Sequence, residues 1–456
     1  MVDVKSVVSQ LRDTFRAGVT QPKDWRIAQL KALESLVAEN EAEIFTALSD
    51  DLSKPMIEAY TAEISQMNNE VAEAIRELGR WMAPKRVKTP LVLQPGMSEV
   101  VPQPLGVVCI IGPWNYPFQL LLSPLVGALA AGNCAVLKPS EVAPATSALM
   151  AKLVPLYFDT NAVKVVEGGI PETTALLKER FDHMFYTGNG TVGKIVMTAA
   201  AQHLTPVTLE LGGKSPCVVG PDAKLKTIAR RLVWCKFYNG GQTCVAPDYV
   251  LVDATVKDKF VDAITSAILE FYGKDPQMSS DYGRIVNGHH PDRLTALLVG
   301  QNILFGGQYD REQNYIAPTL LDEPDLHSPV MADEIFGPIL PIISYADVND
   351  ALEIINGRPK PLALYVFSEN RRFIDHVLAN TTSGGATVNH GWIHLAVPDL
   401  PFGGVGPSGM GNYHSKATFD TFSHFRSVLH KSTIVDPTFT YPPYTPAKEK
   451  WLKRLL

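Results

Sequence analysis

The sequence predicts an α/β protein: two successive units built on parallel sheets, with a small β-rich arm. Three observations lead there. From Val107 onward, short β-branched runs alternate with helical stretches, the pattern of parallel strands joined by crossover helices. The alternation begins afresh after "ELGGKSP", near residue 211. Between Ala83 and Gln103 lies a Pro-rich, basic stretch, "APKRVKTPLVLQPGMSEVVPQ", with extended character and no helical period.

Taken in order, the elements follow from periodicity. In "DWRIAQLKALESLVAENEAEIFTALSDDL", Ile27, Leu30, Leu33, Leu36 and Val37 recur at helical spacing, so the first 80 residues read as packing helices. The first unit then runs through "VVCII", "AVLKPS", a helix after Pro144, "VKVVEG", a helix from Pro171, "HMFYT", a helix after Gly188 and "VTLEL". The second opens with "PCVVG", followed by a long helix to Phe237, "YVLVD" and the helix "VKDKFVDAITSAILEFYG".

Composition narrows the function. A hydrophobic content of 46% with a net charge of -6 argues against disorder and leaves no electrostatic footprint for nucleic acid. No apolar segment of the signal-peptide kind follows "MVDVKSVVSQLRD", and no run of about 18 apolar residues occurs, so the cytoplasm is the expected location. Five cysteines without a C-x-x-C pair suggest free thiols rather than disulfides or a zinc site. His390 and His394 in "NHGWIH" come nearest to metal-ligand spacing, but no glutamate stands between them. Packing or substrate contact is the expectation there, and no metal.

"FYTGNGTVGK" sets Gly188, Gly190 and Gly193 as G-x-G-x-x-G between a strand and a helix. Read literally, this run brings a backbone up to a pyrophosphate, and the acidic residue roughly 20 positions on, here Glu210, would bind the adenosine ribose. The other reading gives Glu210 a role in chemistry. It closes a strand just before a glycine pair, where ligands gather in open α/β sheets.

"FYNGGQTC" ends at Cys244 in a polar, glycine-rich context, whereas Cys109, Cys134, Cys217 and Cys235 sit in apolar runs and read as packing residues. Cys244 is thus the candidate nucleophile. "GPWNYP" holds Asn115 in a proline-bracketed turn after a strand, a rigid amide of the kind an oxyanion needs. Cysteine, carboxylate and amide together suggest acyl chemistry through a thioester. Each alone is equally a turn or core residue.

"GPWNYP", "LKPSE", "ELGGKSP", "FYNGGQTC", "EIFGPI" and "LPFGGVGPSGMG" resemble, in order and spacing, the motifs of the NAD(P)-dependent aldehyde dehydrogenases, from about residue 10 to about 430. The short N-terminus and "SGMGNYHSKATFDTFSH" are most similar to the class 3 branch, which includes the fatty aldehyde enzymes. The resemblance implies a Rossmann-like cofactor domain (1–82 and 102–210), a catalytic domain (211–402), an oligomerisation arm (83–101 and 403–430) and a tail (431–456). It implies a cofactor site of Trp114, Lys138, Glu141, Gly188, Gly193, Glu334 and Phe336. With ribose contacts assigned to Lys138 and Glu141, the G-x-G-x-x-G spelling is partly accidental and Glu210 is released to act as base.

The expected reaction is attack of the Cys244 thiolate on an aldehyde, an oxyanion held by Asn115 and the Cys244 N–H, hydride loss to NAD or NADP, and thioester hydrolysis by water that Glu210 activates. Which of Glu210 and Glu334 dominates as base stays open at this point. Glu141 favours NAD and Lys138 favours NADP, so dual use is expected. Tyr116, Trp234, Phe237, Trp392 and Phe402 are candidates for an apolar tunnel taking medium or long aliphatic or aromatic aldehydes. A homodimer is expected.

In the tail "YPPYTPAKEKWLKRLL", Trp451, Leu452, Leu455 and Leu456 stand among five charged neighbours, which favours a solvated end over a weak peripheral membrane contact. Two enzyme alternatives remain at this level. A coenzyme A-acylating dehydrogenase would not need Glu210, and a semialdehyde dehydrogenase would need a cation in the pocket. A binding protein with a dead site would be expected to lack one of Asn115, Glu210 or Cys244, and all three are present.

Overall fold

The structure is a computed structural model and describes residues 3–436 and 438–455. It has the α/β architecture expected. A six-stranded sheet runs in the order Gly409–Met410, Val207–Glu210, His183–Thr187, Val107–Ile111, Cys134–Lys138, Val163–Val165. All its pairings are parallel except that of Gly409–Met410. Val107–Ile111 and Cys134–Lys138 are buried along their whole length, as strands covered on both faces must be. The chain winds outward from Val107–Ile111 to one edge and then returns to its other side at His183–Thr187. That reversal opens a crevice at the carboxyl ends of these strands.

A seven-stranded sheet follows: Ile303–Phe305, Thr319–Asp322, Ile339–Tyr345, Tyr249–Asp253, Pro216–Val219, Ala363–Phe367, Gly385–Val388. Only its first pairing is antiparallel. A third, antiparallel sheet joins Lys85–Val87, Gly96–Pro104 and Ser423–Lys431.

Helix Gln119–Ala131, apolar on every side, is buried throughout and packs against the N-terminal helices Lys23–Glu39 and Ser65–Trp81 and against Lys416–Thr421. Leu30, Leu33, Leu36 and Val37 are fully buried on this surface. The N-terminal helices thus brace the first loop of the six-stranded sheet, the one that carries Asn115.

Candidate active site

Two loops, one from each large sheet, meet in the crevice. Helix Leu225–Phe237 ends at Tyr238, and Asn239, Gly240 and Gly241 follow with φ of 53°, 62° and 76°. A Cβ at Gly241 would collide with the Gly337 backbone, so this turn needs glycine for space as well as for its dihedral. Gln242 then fixes the chain: its Nε2 donates to Asn239 O (2.9 Å) and Arg284 O (3.0 Å), and its Oε1 accepts from Val286 N (3.0 Å). Cys244 emerges half-buried from this turn.

Asn115 is buried, and its Nδ2 donates to Gln242 O at 3.0 Å. An amide carries two N–H donors, so one remains for an oxyanion. Tyr116 bonds Thr243 Oγ1 at 2.6 Å, locking the residue before Cys244. Asn115 and Cys244, 129 positions apart in sequence, are thereby held in one crevice.

Glu210 closes the strand Val207–Glu210, paired with Thr187 and Gly409. It is buried, and neither carboxyl oxygen has a hydrogen-bond partner among the described residues. Burial pushes its pKa well above the usual carboxyl range. Burial also raises the Cys244 thiol, and the carboxylates of Glu334 and Glu210 raise it further, against the N–H groups of Cys244 and Val245, which favour the thiolate. The thiol therefore rests protonated. Its ionisation calls for a proton acceptor rather than a favourable field.

Glu334, expected from sequence as a cofactor ligand or as an alternative base, has its carboxyl packed against Gly212, where any Cβ would collide with it. Burial pushes it up to about 8, opposed by the Gly213 N–H and by Lys214 and Lys236. Beside it Lys214 donates to Asp248 (2.5 Å), Val330 O (2.8 Å) and Asp333 O (3.0 Å). Lys236, fully buried with no hydrogen-bond partner for its amine among the described residues, is pulled down to about 8 by burial.

The residues expected to hold a dinucleotide fall at or just after the ends of strands of the six-stranded sheet and in the segment around Glu334. Phe336, at φ 52°, stands edge-on to Trp114 at 5.3 Å, and Trp114 packs on His290 at 4.9 Å. Lys138 is buried with its amine on Pro139 O (2.7 Å) and the half-exposed Glu141 (3.2 Å). At Gly188 a Cβ would collide with the Tyr186 hydroxyl, and at Gly193 it would lie 3.0 Å from Leu211 Cδ2. Asn189, inside the G-x-G-x-x-G run, caps helix Gly190–Ala201 by accepting from Val192 N at 2.9 Å. That bond uses an N–H a pyrophosphate would take in the literal reading. The buried Thr187 hydroxyl, without a partner among the described residues at the end of its strand, fits a bound polar group such as a dinucleotide.

On the substrate side Trp234 stacks with Trp392 at 4.4 Å, and Tyr238 packs edge-on against both (5.5 and 5.3 Å). Phe402 is buried against Tyr413 and His414, and Phe237 is buried in the core. His390 and His394 do not converge on a metal: His394 Nδ1 bonds Thr387 Oγ1 (2.9 Å) and His390 packs edge-on to Trp234. Sequence reasoning missed Lys54, Glu58 and Glu63, which enter the site from the N-terminal helices, and His290 behind Trp114. Their only signal was charge within a helical pattern.

The two sheets and the crevice at which their loops meet define an α/β enzyme. The chain belongs to the aldehyde dehydrogenase family, whose pattern matches residues 1–428. It is 47% identical over 459 residues to aldehyde dehydrogenase family 3 member H1 of Arabidopsis thaliana, covering 100% of this chain and 95% of that one. It is 48% identical to the dimeric NADP-preferring aldehyde dehydrogenase of Rattus norvegicus, covering 98% and 99%. The solved substrate-bound AldH of Staphylococcus aureus superposes with a TM-score of 0.98 at 45% identity, over 100% and 99% of the two chains.

Proposed function

We propose that the protein oxidises medium or long aliphatic or aromatic aldehydes to carboxylic acids with NAD or NADP, using Cys244 as nucleophile, Asn115 as oxyanion donor and Glu210 as base. The observation that carries this is that Asn115 and Tyr116 bond Gln242 and Thr243, the two residues before Cys244, while the buried Glu210 carboxyl has no hydrogen-bond partner among the described residues. Glu210 accepts the thiol proton, and the thiolate attacks the carbonyl carbon. The resulting oxyanion takes the free N–H of Asn115 Nδ2 and the Cys244 N–H. A nicotinamide held in the cofactor site would supply the hydride acceptor that leaves the acyl group on Cys244 as a thioester. Glu210, once it has released that first proton to solvent, takes a proton from water, the water oxygen adds to the acyl carbon, and the thiolate leaves.

Trp114, Phe336 and Glu334 would hold the nicotinamide half, and Lys138, Glu141, Gly188 and Gly193 the adenosine half. The Lys138–Glu141 pair places a cation and an anion together, which supports use of both dinucleotides. The rat relative's name supports NADP. Glu210 argues against coenzyme A as the acyl acceptor, since that chemistry needs no water-activating base. The paired aromatic rings around Trp234, with Tyr116 and Phe402 as further candidates, suit an apolar substrate.

We read the six-stranded sheet as the core of the cofactor domain and the seven-stranded sheet as that of the catalytic domain. The three-stranded sheet, with Val87, Phe425 and Leu429 exposed, is the proposed dimer arm, a reading the rat relative's name supports. Five unpaired cysteines suit a reducing cytoplasm. No helix among the described residues is long and apolar enough to cross a membrane. In the tail, helix Pro446–Leu455 stacks Trp451 on Phe439. We therefore leave it at most a weak peripheral membrane contact.

The test is absorbance at 340 nm with NAD or NADP and an aldehyde series, with and without coenzyme A, for the wild type and Cys244→Ala. Turnover independent of coenzyme A and lost in Cys244→Ala is expected. Comparable turnover in Cys244→Ala would sink the mechanism.

A further inference from the structure

We propose that the segment Lys54–Glu63, through its buried residues Lys54, Glu58 and Glu63, is a positioning clamp that sets the catalytic cysteine loop against the asparagine loop, with Glu58 as its link to the cysteine side. Asn115 and Cys244 stand on loops from two different sheets, so no continuous strand ladder fixes their separation. The segment joins both loops by their backbones. Lys54 Nζ donates to Asn115 O at 3.0 Å, lies 4.2 Å from the Tyr116 ring centroid, and is ion-paired with Glu63. Glu63 Oε2 accepts from Phe118 N (3.0 Å) and Gln119 N (3.2 Å), holding the start of helix Gln119–Ala131. On the other side Glu58 Oε2 accepts from Asn239 N at 2.8 Å, and the Glu58 carbonyl accepts from Tyr238 Oη at 2.9 Å.

All three charged residues are buried. A buried ion pair, with a second buried carboxyl that desolvation pushes up to about 8, is a costly way to hold two loops if packing alone were needed, because apolar groups of like volume would serve stability as well or better. What they add is direction, since each points at a backbone group within a few residues of Asn115 or Cys244. The chain makes one π-turn at Tyr60–Ile64 between helices Met56–Ala59 and Ser65–Trp81. That register change lets Glu58 and Glu63 face different loops. Lys54, Glu58 and Glu63 touch no reacting atom and act through the loops they hold. This inference rests on the reading of Cys244 and Asn115 as the reaction centre.

The experiment compares Glu58→Leu, which removes the acceptor for Asn239 N–H, with Glu58→Gln, which keeps an oxygen there. Misplacement of the cysteine loop in Glu58→Leu is expected to lower kcat on the order of 10²-fold and to slow alkylation of Cys244 by iodoacetamide. The KM for NAD should stay within about twofold, because the cofactor residues lie elsewhere. Glu58→Gln should recover most of the rate.

A folded Glu58→Leu with wild-type kcat and alkylation, or a Glu58→Gln as impaired as Glu58→Leu, would overturn the proposal. Should Glu58→Leu fail to fold, Lys54→Met is measured in the same way against the same expectations, and a wild-type kcat there overturns the clamp equally. Cys244→Ala runs beside them: activity there removes the reaction centre itself, whereas an inactive Cys244→Ala beside an unaffected Glu58→Leu removes only the clamp.

Discussion

Glu210 offers the sharpest test, because its two proposed burdens, on stability and on catalysis, point in opposite directions. Its carboxyl is buried with both oxygens unpartnered among the described residues, and burial holds its pKa well above the usual range. A buried polar group without a partner costs about 1 to 3 kcal/mol. Replacing it by leucine, close in volume and without polar atoms, should therefore stabilise the protein by that order in urea titrations at neutral pH. The same change removes the base and should lower kcat by roughly 10² to 10⁴.

Glu210→Gln separates charge from shape and should match the catalytic loss without the full gain in stability. Cofactor Kd, read by quenching of tryptophan fluorescence, should change little in either variant. A stopped-flow burst of NADH locates the loss: a retained burst with slow turnover marks impaired hydrolysis, and a lost burst marks impaired thiol activation. If instead Glu210→Leu weakens NAD binding and leaves kcat intact, the carboxylate is a ribose ligand and the literal glycine-motif reading returns. Destabilisation by Leu of similar size would show that the carboxyl has partners the argument denies it.

Three further outcomes follow from the geometry. Gly212→Ala puts a Cβ into the Glu334 carboxyl and should lower kcat/KM for NAD while costing about 1 to 3 kcal/mol through overpacking, measured by coupled kinetics and denaturation. Glu141→Gln breaks the pair with Lys138 and should weaken NAD while improving NADP relative to it, as paired Kd measurements would reveal. The third concerns Glu334, whose carboxyl rises from an ordinary 4.5 to about 8, so the folded state binds more protons than the unfolded one between those values. Stability should accordingly fall as pH rises across that window, by an amount on the order of a few kcal/mol, and Glu334→Gln should flatten the slope.

The strands were the most legible part of this fold. "VVCII" and "HMFYT" are unbroken apolar runs because both faces are covered, and that pattern survives in sequence without knowledge of their neighbours. Cys244 stood out for the same kind of local reason, a thiol among polar and glycine residues, and Asn115 for its bracketing prolines. The turn that presents Cys244 was half visible. Its glycines announced a sharp bend, but the left-handed Asn239 before them did not.

Glu58 and Glu63 were invisible because a charged residue in an amphipathic helix reads as a solvated face. Only the fold shows that the helix end is driven between two loops, where a charge must find a partner. The burial of Glu334, which the sequence reading placed in the cofactor site, was hidden for a related reason. Its burial depends on Gly212, which is 122 positions away in sequence.

The electrostatics of the crevice set the order in which its charges can appear. Cys244, Glu210 and Glu334 are all shifted toward their neutral forms, and the two carboxylates oppose the thiolate directly. Two like charges a few ångströms apart at the effective dielectric of a protein site repel by several kcal/mol, so the crevice holds thiolate and carboxylate together only at high cost. In the proposed mechanism, transfer of the thiol proton to Glu210 avoids that cost. The negative charge moves from oxygen to sulfur and its sum in the crevice is unchanged. Attack on the aldehyde then moves it again, onto an oxygen facing the Asn115 amide and the Cys244 N–H. Hydrolysis runs under the same constraint, for water can give its proton to Glu210 only after that carboxyl has released the first one. The thiol and Glu210 consequently titrate as a pair, and the rate should rise with pH through one apparent pKa that belongs to neither residue alone.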